Sequence, residues 1–108
     1  MKLIADAAAE PAVTTPDGAE RRVLSYGAGL MLVEFRFEAG KASWEHSHPH
    51  EQITNLIEGE FEMVIEGEKR LLKPGEVAVI PSHVRHAGKA VTDCRIIDVF
   101  HPVRQEYR

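Results

Sequence analysis

Short apolar runs separated by turn residues fill most of this chain and constrain its fold more than any other feature. Gly59, the pair Glu66 and Gly67, and the Lys-Pro-Gly segment at 73–75 supply the glycines and proline that tight turns need. Since no helical periodicity competes, the close spacing of the runs predicts an all-β sandwich or barrel. The runs of strand length are LMLVEFRF (30–37), ITNLIEG (53–59), EFEMVIEG (60–67), KRLL (69–72), EVAVIP (76–81) and CRIIDVF (94–100).

The N-terminal residues differ from the rest of the chain. Residues 5–21 are rich in Ala, Pro and Thr without a sustained period, which predicts an extended N-terminal arm over residues 1–21. Residues 22–108 are predicted to form one domain, because 108 residues with 44% hydrophobic content can bury one modest core. Lys2 and the alanine run imitate a signal peptide, but Asp6 interrupts an apolar stretch that is too short for one.

Composition argues against several classes of partner. A formal charge of −4 without a basic stripe argues against nucleic acid, and no run approaches the roughly 18 apolar residues of a membrane span. The single cysteine, Cys94, excludes an intrachain disulfide, which favours a reducing compartment and a cytoplasmic protein. Cys94 itself is expected to be a small buried residue near a strand.

The apolar faces of two predicted strands exceed what one small barrel can bury. An exposed apolar patch on a globular domain usually marks an interface, so the sequence predicts a homodimer. The residues concerned are Met31, Val33, Phe35 and Phe37 on one face of the first strand, Leu30 and Leu32 on its other face, and Ile97 and Val99 in the last strand.

The stretch WEHSHPHEQ (44–52) raises the possibility of a metal site. On a strand, His46 and His48 would share one face about 6.6 Å apart, at roughly 3.3 Å rise per residue, whereas a helix would point them apart. Gln52 keeps the same parity beyond the bend expected at Pro49. A lone histidine is usually a surface or core residue, but this pair plus His86 beyond a Gly-x5-Pro segment is much less often accidental.

These positions resemble the two sequence motifs of the cupin superfamily over residues 22–101. The first motif, Gly-x5-His-x-His-x3-Glu-x6-Gly, is matched by Gly40, His46, His48, Gln52 and Gly59, with Gln52 in place of the acid. The second motif, Gly-x5-Pro-x-Gly-x2-His-x3-Asn, is matched by Gly75, Pro81 and His86, with His83 and Ala90 in place of its second Gly and its Asn. The resemblance implies a double-stranded β-helix, the cupin jelly-roll barrel, with a metal inside.

The ligands implied by the resemblance are His46, His48, Gln52 and His86. Neutral imidazoles and a neutral amide leave a divalent ion with its full charge, which favours a Lewis acid over an oxidant. Such donors suit nickel, zinc, iron, manganese or cobalt, so one divalent transition metal ion is predicted without a choice among these. The alternative is a barrel that has lost its ion. His50 is expected outside the ligand set or at the barrel mouth, and His83 and His101 at the rim.

The last predicted strand carries a second group of polar residues. Asp98 alternates with Ile96 and Phe100, and a carboxylate on an apolar face is costly unless it is used or paired. The alternative is an edge-strand aspartate paired with Arg95 or with a residue of the N-terminal arm. The run Asp98-x-Phe100-x-Pro102-x-Arg104 resembles the C-terminal signature of the small pectin-degradation cupins of the KdgF type, whose histidine segment also reads His-x-His-Pro-His with a Gln ligand.

This narrower resemblance implies an enzyme that opens 4,5-unsaturated monouronates from pectin or alginate to the linear 4-deoxy-5-keto uronate. Asp98 would move the proton, Arg104 would pair with the carboxylate of this acidic sugar, and Phe100 would pack against its ring. Two alternatives of other classes stay open. One is a three-histidine metal dioxygenase, and the other is a non-catalytic sugar-binding or sensor cupin.

Overall fold

The structure is a computed structural model that describes residues 3–108, so Met1 and Lys2 of the signal-like start lie outside the described residues. Antiparallel β-strands make up most of it, with single-turn 3-10 helices at residues 7–9 and 105–107. The strands are β1 (Val13–Thr14), β2 (Glu20–Tyr26), β3 (Met31–Phe37), β4 (Ala42–His46), β5 (Glu51–Glu58), β6 (Phe61–Ile65), β7 (Glu68–Leu72), β8 (Val77–Ile80), β9 (His86–Ala90) and β10 (Cys94–His101).

The strands form two sheets whose inner faces enclose the core. The larger sheet has the order β1-β2-β3-β10-β5-β8 and the smaller one the order β4-β9-β6-β7. The predicted all-β fold is confirmed, and residues 3–108 contain no α-helix. None of the helical segments in this part of the chain is long and apolar enough to cross a membrane.

Each of the predicted apolar runs overlaps a strand, but β1, β2, β4 and β9 were not among those runs. In β2, the adjacent Arg21 and Arg22 interrupt the alternation that indicates a half-buried strand. In β9, the sequence HAGKA lacks the β-branched residues that favour strands. Packing explains the glycine in this strand, because a Cβ at Gly88 would lie 2.2 Å from the ring of Phe61.

The turns predicted from glycine are present. Glu66 and Gly67 join β6 to β7 with φ values of 50° and 78°, as a two-residue hairpin turn requires. Gly59, with φ of 89°, separates β5 from β6, and a Cβ at this position would lie 2.1 Å from the carbonyl oxygen of Asp93. Glycine is therefore needed there for both its conformation and its lack of a side chain.

Apolar side chains from both sheets form the core. Leu56 and Ile96 of the larger sheet pack in one cluster with Phe61 and Met63 of the smaller sheet. Cys94 belongs to this cluster, which confirms the expectation of a small buried residue. A second cluster lies beside the C-terminal segment and contains Met31, Val33, Phe100 and Val103.

Strand β10 lies between β3 and β5, in the interior of the larger sheet. Its buried positions alternate, and they place Asp98 on the inner face with Ile96 and Phe100, as predicted. The alternative of an edge-strand aspartate is wrong, because both edges of β10 are paired. Arg95 points to the outer face, where its Nε donates to Glu34 Oε2 at 2.6 Å.

The N-terminal segment contacts the larger sheet. Strand β1 pairs with the first residues of β2, and the turn between them is closed by a hydrogen bond from Thr15 N to the carbonyl oxygen of Ala19 at 2.8 Å. Ala19 is buried in the core. The division of the chain into an arm and a domain after residue 21 stays a prediction.

Candidate metal centre

Three histidines from separate parts of the chain meet inside the barrel. His46 is the last residue of β4 and His86 the first of β9, and the two are paired in register, with ring centroids 4.2 Å apart. The strand expected for the His-x-His pattern covers only His46, where β4 ends, and the chain bends at Pro49 and His50 before β5 begins. His48 nevertheless turns inward, with its ring centroid 4.9 Å from that of His86 and 5.6 Å from that of His46.

The distances among these rings are suited to a shared ion. One ring nitrogen from each of His46, His48 and His86 lies within 4.8 Å of the other two, and His48 and His86 are buried. Such a cluster could hold a divalent metal through three imidazole nitrogens, which is a common donor set for transition metals.

Hydrogen bonds to backbone carbonyls orient all three imidazoles. The Nδ1 atoms of His46, His48 and His86 lie 2.6, 2.9 and 2.9 Å from the carbonyl oxygens of Trp44, His50 and Val84 respectively. A carbonyl oxygen only accepts, so each Nδ1 carries the proton and donates it. In the neutral ring this leaves the Nε2 lone pair free, which is the arrangement found in metal-ligating histidines.

The surroundings of the buried histidines favour the neutral form. Burial lowers the pKa of His86 to about 4, and the nearby positive charges of the other two histidines and of Arg104 act in the same direction. Burial, followed by the charge of Arg104, also lowers the pKa of His48. A neutral imidazole at physiological pH can bind a metal without first losing a proton.

Gln52, in β5, lies beside His48 and presents its amide oxygen to the cluster. Its Nε2 donates to Thr54 Oγ1 at 2.9 Å and to Asp98 Oδ2 at 3.2 Å, which orients Oε1 towards His48 Nε2 at 3.0 Å. The Nδ1 atom of His48 carries the proton of the neutral ring, so its Nε2 atom would face Gln52 Oε1 with a lone pair. Two acceptors at this distance are well matched to a cation between or beside them.

The residues present therefore fit a metal ion. His86 Nε2 is a further buried nitrogen without a hydrogen-bond partner among the described residues, and it belongs to the same cluster. The four predicted ligands converge, although their roles as ligands and the identity of the metal stay predictions. The set contains no carboxylate or thiolate, so an ion bound by it would keep its full charge.

Asp98 lies next to this cluster, on the inner face of β10. It is 6% exposed, and burial raises the pKa of its carboxyl to about 7, against hydrogen bonds from Thr54 and Gln52 and the charge of Arg104, which lower it. Its Oδ2 accepts from Gln52, whereas Oδ1 has no hydrogen-bond partner among the described residues. One carboxyl oxygen thus remains for another molecule.

Aromatic rings hold Arg104 at the same site. Its guanidinium carbon lies 5.1 Å from the ring centroid of Phe100 and 4.2 Å from that of Tyr107. The side chain of Arg104 is largely buried, and its NH2 group pairs with Glu106 at 3.4 Å. Arginine over aromatic rings keeps its charge and its donors while losing contact with water.

A cavity of about 330 Å³ joins these groups, which is within the usual size range for a small-molecule site. The predicted site residues that line it are His46, Gln52, His86, Asp98, Phe100 and Arg104, with His48 just behind. Thr54, Arg21, Trp44 and Tyr107 also line it and were not predicted. Of these four residues, only Thr54 could have been found from the sequence, because it lies two residues after Gln52 and so faces the same side of β5.

The other histidines lie outside the cluster. His50 contributes its backbone carbonyl to His48, while its own ring packs edge-on against that of His48 at 5.6 Å. The backbone amide of His83 donates to the carbonyl oxygen of His48 at 2.7 Å, and its side chain is exposed. His101 is also exposed, at the end of β10. Their assignment outside the ligand set stays a prediction.

Comparison with known proteins agrees with this geometry. The model of the cupin domain family matches residues 33–100, which include the whole histidine cluster, Gln52 and Asp98. The pectin degradation protein KdgF of Dickeya dadantii (strain 3937) is 34% identical over 93 residues, covering 84% of each chain.

Two further relatives are a solved structure of KdgF and an enzyme with a different name. The structure of KdgF from Halomonas sp. has a TM-score of 0.94 to this chain, with 31% identity and complete coverage of both chains. L-ectoine synthase of Thermobifida fusca (strain YX) is 31% identical over 94 residues, covering 83% of this chain and 70% of its own.

Proposed function

This chain belongs to the cupin domain family, and we propose that it opens the ring of 4,5-unsaturated monouronates released from pectin or alginate. The product would be the linear 4-deoxy-5-keto uronate. The proposal depends on one observation: the buried carboxyl of Asp98 faces the same cavity as Arg104 and the three-histidine cluster. A proton donor, a cation and candidate metal ligands therefore converge on a cavity of small-ligand size.

Similarity to KdgF supports the substrate class. The protein from Dickeya dadantii is described as acting in pectin degradation, and this chain and that protein cover each other to the same extent. The match to L-ectoine synthase covers 70% of that protein, against 84% for KdgF, so it supports a shared function less strongly. The cavity also contains a carboxyl group, an aromatic ring and a guanidinium group, which are suited to binding an acidic unsaturated sugar. They belong to Asp98, Phe100 and Arg104.

Ring opening of such a sugar is an isomerisation that needs proton transfer. The bond between C1 and the ring oxygen breaks, the proton of the C1 hydroxyl is lost, and a proton is added at C4. An aldehyde then stands at C1 and a ketone at C5, and no atom is gained overall. The protein must supply a donor over C4, and a group that holds the C5 carboxylate in register with it.

The residues of the cavity can fill these roles. Asp98 would deliver the proton from Oδ1, since Oδ2 is already bound by Gln52. Arg104 would form a charge-assisted pair with the carboxylate, and the ring of Phe100 would pack against the sugar. A divalent ion held by His46, His48, His86 and Gln52 would polarise oxygens of the bound sugar.

The test is turnover by the wild-type protein. Unsaturated galacturonate absorbs in the ultraviolet through its double bond, so ring opening is followed as loss of that band. We expect the metal-loaded protein to accelerate the loss over the spontaneous reaction in the same buffer with the same metal and no protein. A rate equal to the spontaneous one would reject the enzyme in favour of a binding protein. Oxygen uptake with a diketone or thiol would instead favour the dioxygenase.

We also propose that the protein forms a homodimer through the outer face of the larger sheet. In-register neighbours Val79, Ile53, Val99 and Leu32 make an apolar row across β8, β5, β10 and β3. Val79 is 55% exposed and Ile53 41%. A continuous apolar row on an outer sheet face is typical of an interface.

Light scattering at micromolar concentration measures the mass directly. We expect about twice the mass of one chain, and we expect Val79→Lys with Ile53→Lys to shift the protein towards the monomer, because charge at the centre of an apolar interface is costly. Val91→Lys, at an exposed valine outside this sheet, is the matched control. A wild-type mass of one chain would contradict the proposal.

A further inference from the structure

Arg21 is a cation on the inner face of β2 that the proposed mechanism does not use. It pairs in register with Phe35, and both side chains line the 330 Å³ cavity. Its neighbours of the same parity, Ala19 and Val23, pack against the two core clusters. A charged side chain on a core-facing position is costly unless it meets a partner or serves a function.

The arginines on the opposite face of the same sheet are all paired. Arg22, Arg36 and Arg95 contact the carboxylate of Glu34 at 3.2, 3.4 and 2.6 Å. Arg21, in contrast, has no carboxylate within ion-pair distance among residues 3–108. The outer face therefore provides a protein anion that pairs with its arginines, whereas none of the described carboxylates that line the cavity, Asp17, Glu45 and Asp98, forms an ion pair with Arg21.

Arg21 shares an aromatic ring with Arg104. The guanidinium carbon of Arg21 lies 4.1 Å from the ring centroid of Tyr107, and that of Arg104 lies 4.2 Å from the same centroid. Two like charges held on one ring repel each other, and an anion that contacts both relieves this repulsion. Glu106 pairs with Arg104, at 3.4 Å, but not with Arg21.

We propose that Arg21 is a second substrate-binding cation that joins Arg104 in holding the sugar carboxylate beside Tyr107. This inference deepens the proposed function, and it rests on the same cavity. It makes Arg21 a specificity-determining residue, because two guanidinium groups around one carboxylate favour a uronate over the neutral sugar of the same shape.

The experiment compares binding of galacturonate and galactose by isothermal titration calorimetry. Galacturonate has no double bond to open, so its binding is measured without turnover. We expect wild-type protein to prefer galacturonate, and Arg21→Gln to weaken galacturonate binding about 10- to 100-fold, as expected for lost hydrogen bonds to a charged group. Galactose binding should stay unchanged. Arg21→Lys should recover part of the preference, since it keeps the charge but not the planar fork.

Arg36→Gln is the matched control, because it removes the same charge from the outer face of the neighbouring strand. It should leave both affinities unchanged. Equal loss of galacturonate and galactose affinity in Arg21→Gln would overturn the inference and indicate that Arg21 only supports Tyr107. A wild type without preference for galacturonate would overturn it as well.

Kinetics separate this inference from the proposed function. With unsaturated galacturonate, Arg21→Gln should raise KM by a similar factor while kcat changes little, since the lost contact exists before and during reaction. A wild type that prefers galacturonate through Arg21 but does not consume the unsaturated sugar would reject ring opening and retain the binding site. Turnover with an unchanged KM in Arg21→Gln would retain ring opening and reject the role of Arg21.

Discussion

We expect Asp98→Asn to slow ring opening by about 10²- to 10⁴-fold, towards the spontaneous rate, while the metal content stays the same. General acid–base groups typically contribute factors of this size, or roughly 3–5 kcal/mol of barrier. The substitution keeps the shape of the side chain but removes its titratable proton. Loss of the metal ion is not expected, because Asp98 does not belong to the histidine cluster that would hold it.

The contacts of Asp98 make this substitution informative. The amide oxygen of the introduced asparagine would be able to accept the hydrogen bond that Gln52 Nε2 now donates to Asp98 Oδ2, so the orientation of Gln52 should persist. The other oxygen, Oδ1, has no partner among the described residues, so an amide nitrogen in its place takes no hydrogen bond away from another described residue. A fall in rate would then reflect the proton rather than a rearranged site.

Asp93→Asn is the matched control. Asp93 is an exposed aspartate just before the same strand, and its Oδ1 accepts from the backbone amide of Ala39 at 2.8 Å. The control should keep wild-type turnover, measured as loss of the ultraviolet band, and a wild-type metal content. If Asp98→Asn retains most of the wild-type rate, the proton comes from another group, and the role proposed for Asp98 is wrong.

The sequence predicted the fold class because the central strands carry their signal locally. In β10, every second residue from Cys94 to Phe100 is buried, so the alternation in the sequence reports directly on the inner and outer faces. Gly59 and Gly67 likewise mark turns through their own conformation. Strand β9 gave no such signal, because Gly88 leaves space for a ring from another strand, which depends on packing across the sheet.

The site was predictable only where a motif carried it. His46, His48, Gln52 and His86 keep a spacing that has chemical meaning, so they could be grouped before their positions were known. Arg21 and Tyr107 lie at opposite ends of the chain, outside that spacing, and their contact arises only when the C-terminal turn packs beside β2. The sequence predicted one arginine at the substrate carboxylate, and the structure brings a second to the same ring.

The strand pairing of His46 with His86 explains why the cluster tolerates an irregular backbone at His48. Strands β4 and β9 fix two imidazoles by register, and the third is fixed by its own hydrogen bond to the carbonyl oxygen of His50. The sequence pattern therefore grouped His46 with His48 although it assumed one continuous strand, and the strand in fact ends at His46. The relation of i to i+2 survived because the bend begins at Pro49, after His48, rather than between the two histidines.

We expect protein purified without a histidine tag to carry about one divalent transition metal ion per chain, and the double variant His46→Ala/His48→Ala to carry almost none. The Nδ1 protons of the three imidazoles are donated to backbone carbonyls, which leaves their Nε2 lone pairs available. One ring nitrogen from each imidazole lies within 4.8 Å of the other two. Removal of two of these donors leaves His86 and one amide oxygen, which are too few for a stable site.

Elemental analysis measures the metal content, and thermal unfolding with and without added ion gives a second readout that does not depend on activity. An ion that binds only the folded protein raises Tm, so wild-type Tm should rise with added metal while that of the double variant should not. His101→Ala, which removes an exposed imidazole outside the cluster, should behave as the wild type. An unchanged metal content in the double variant, or a metal-free wild type that cannot be reloaded, would mean that the three histidines are not metal ligands.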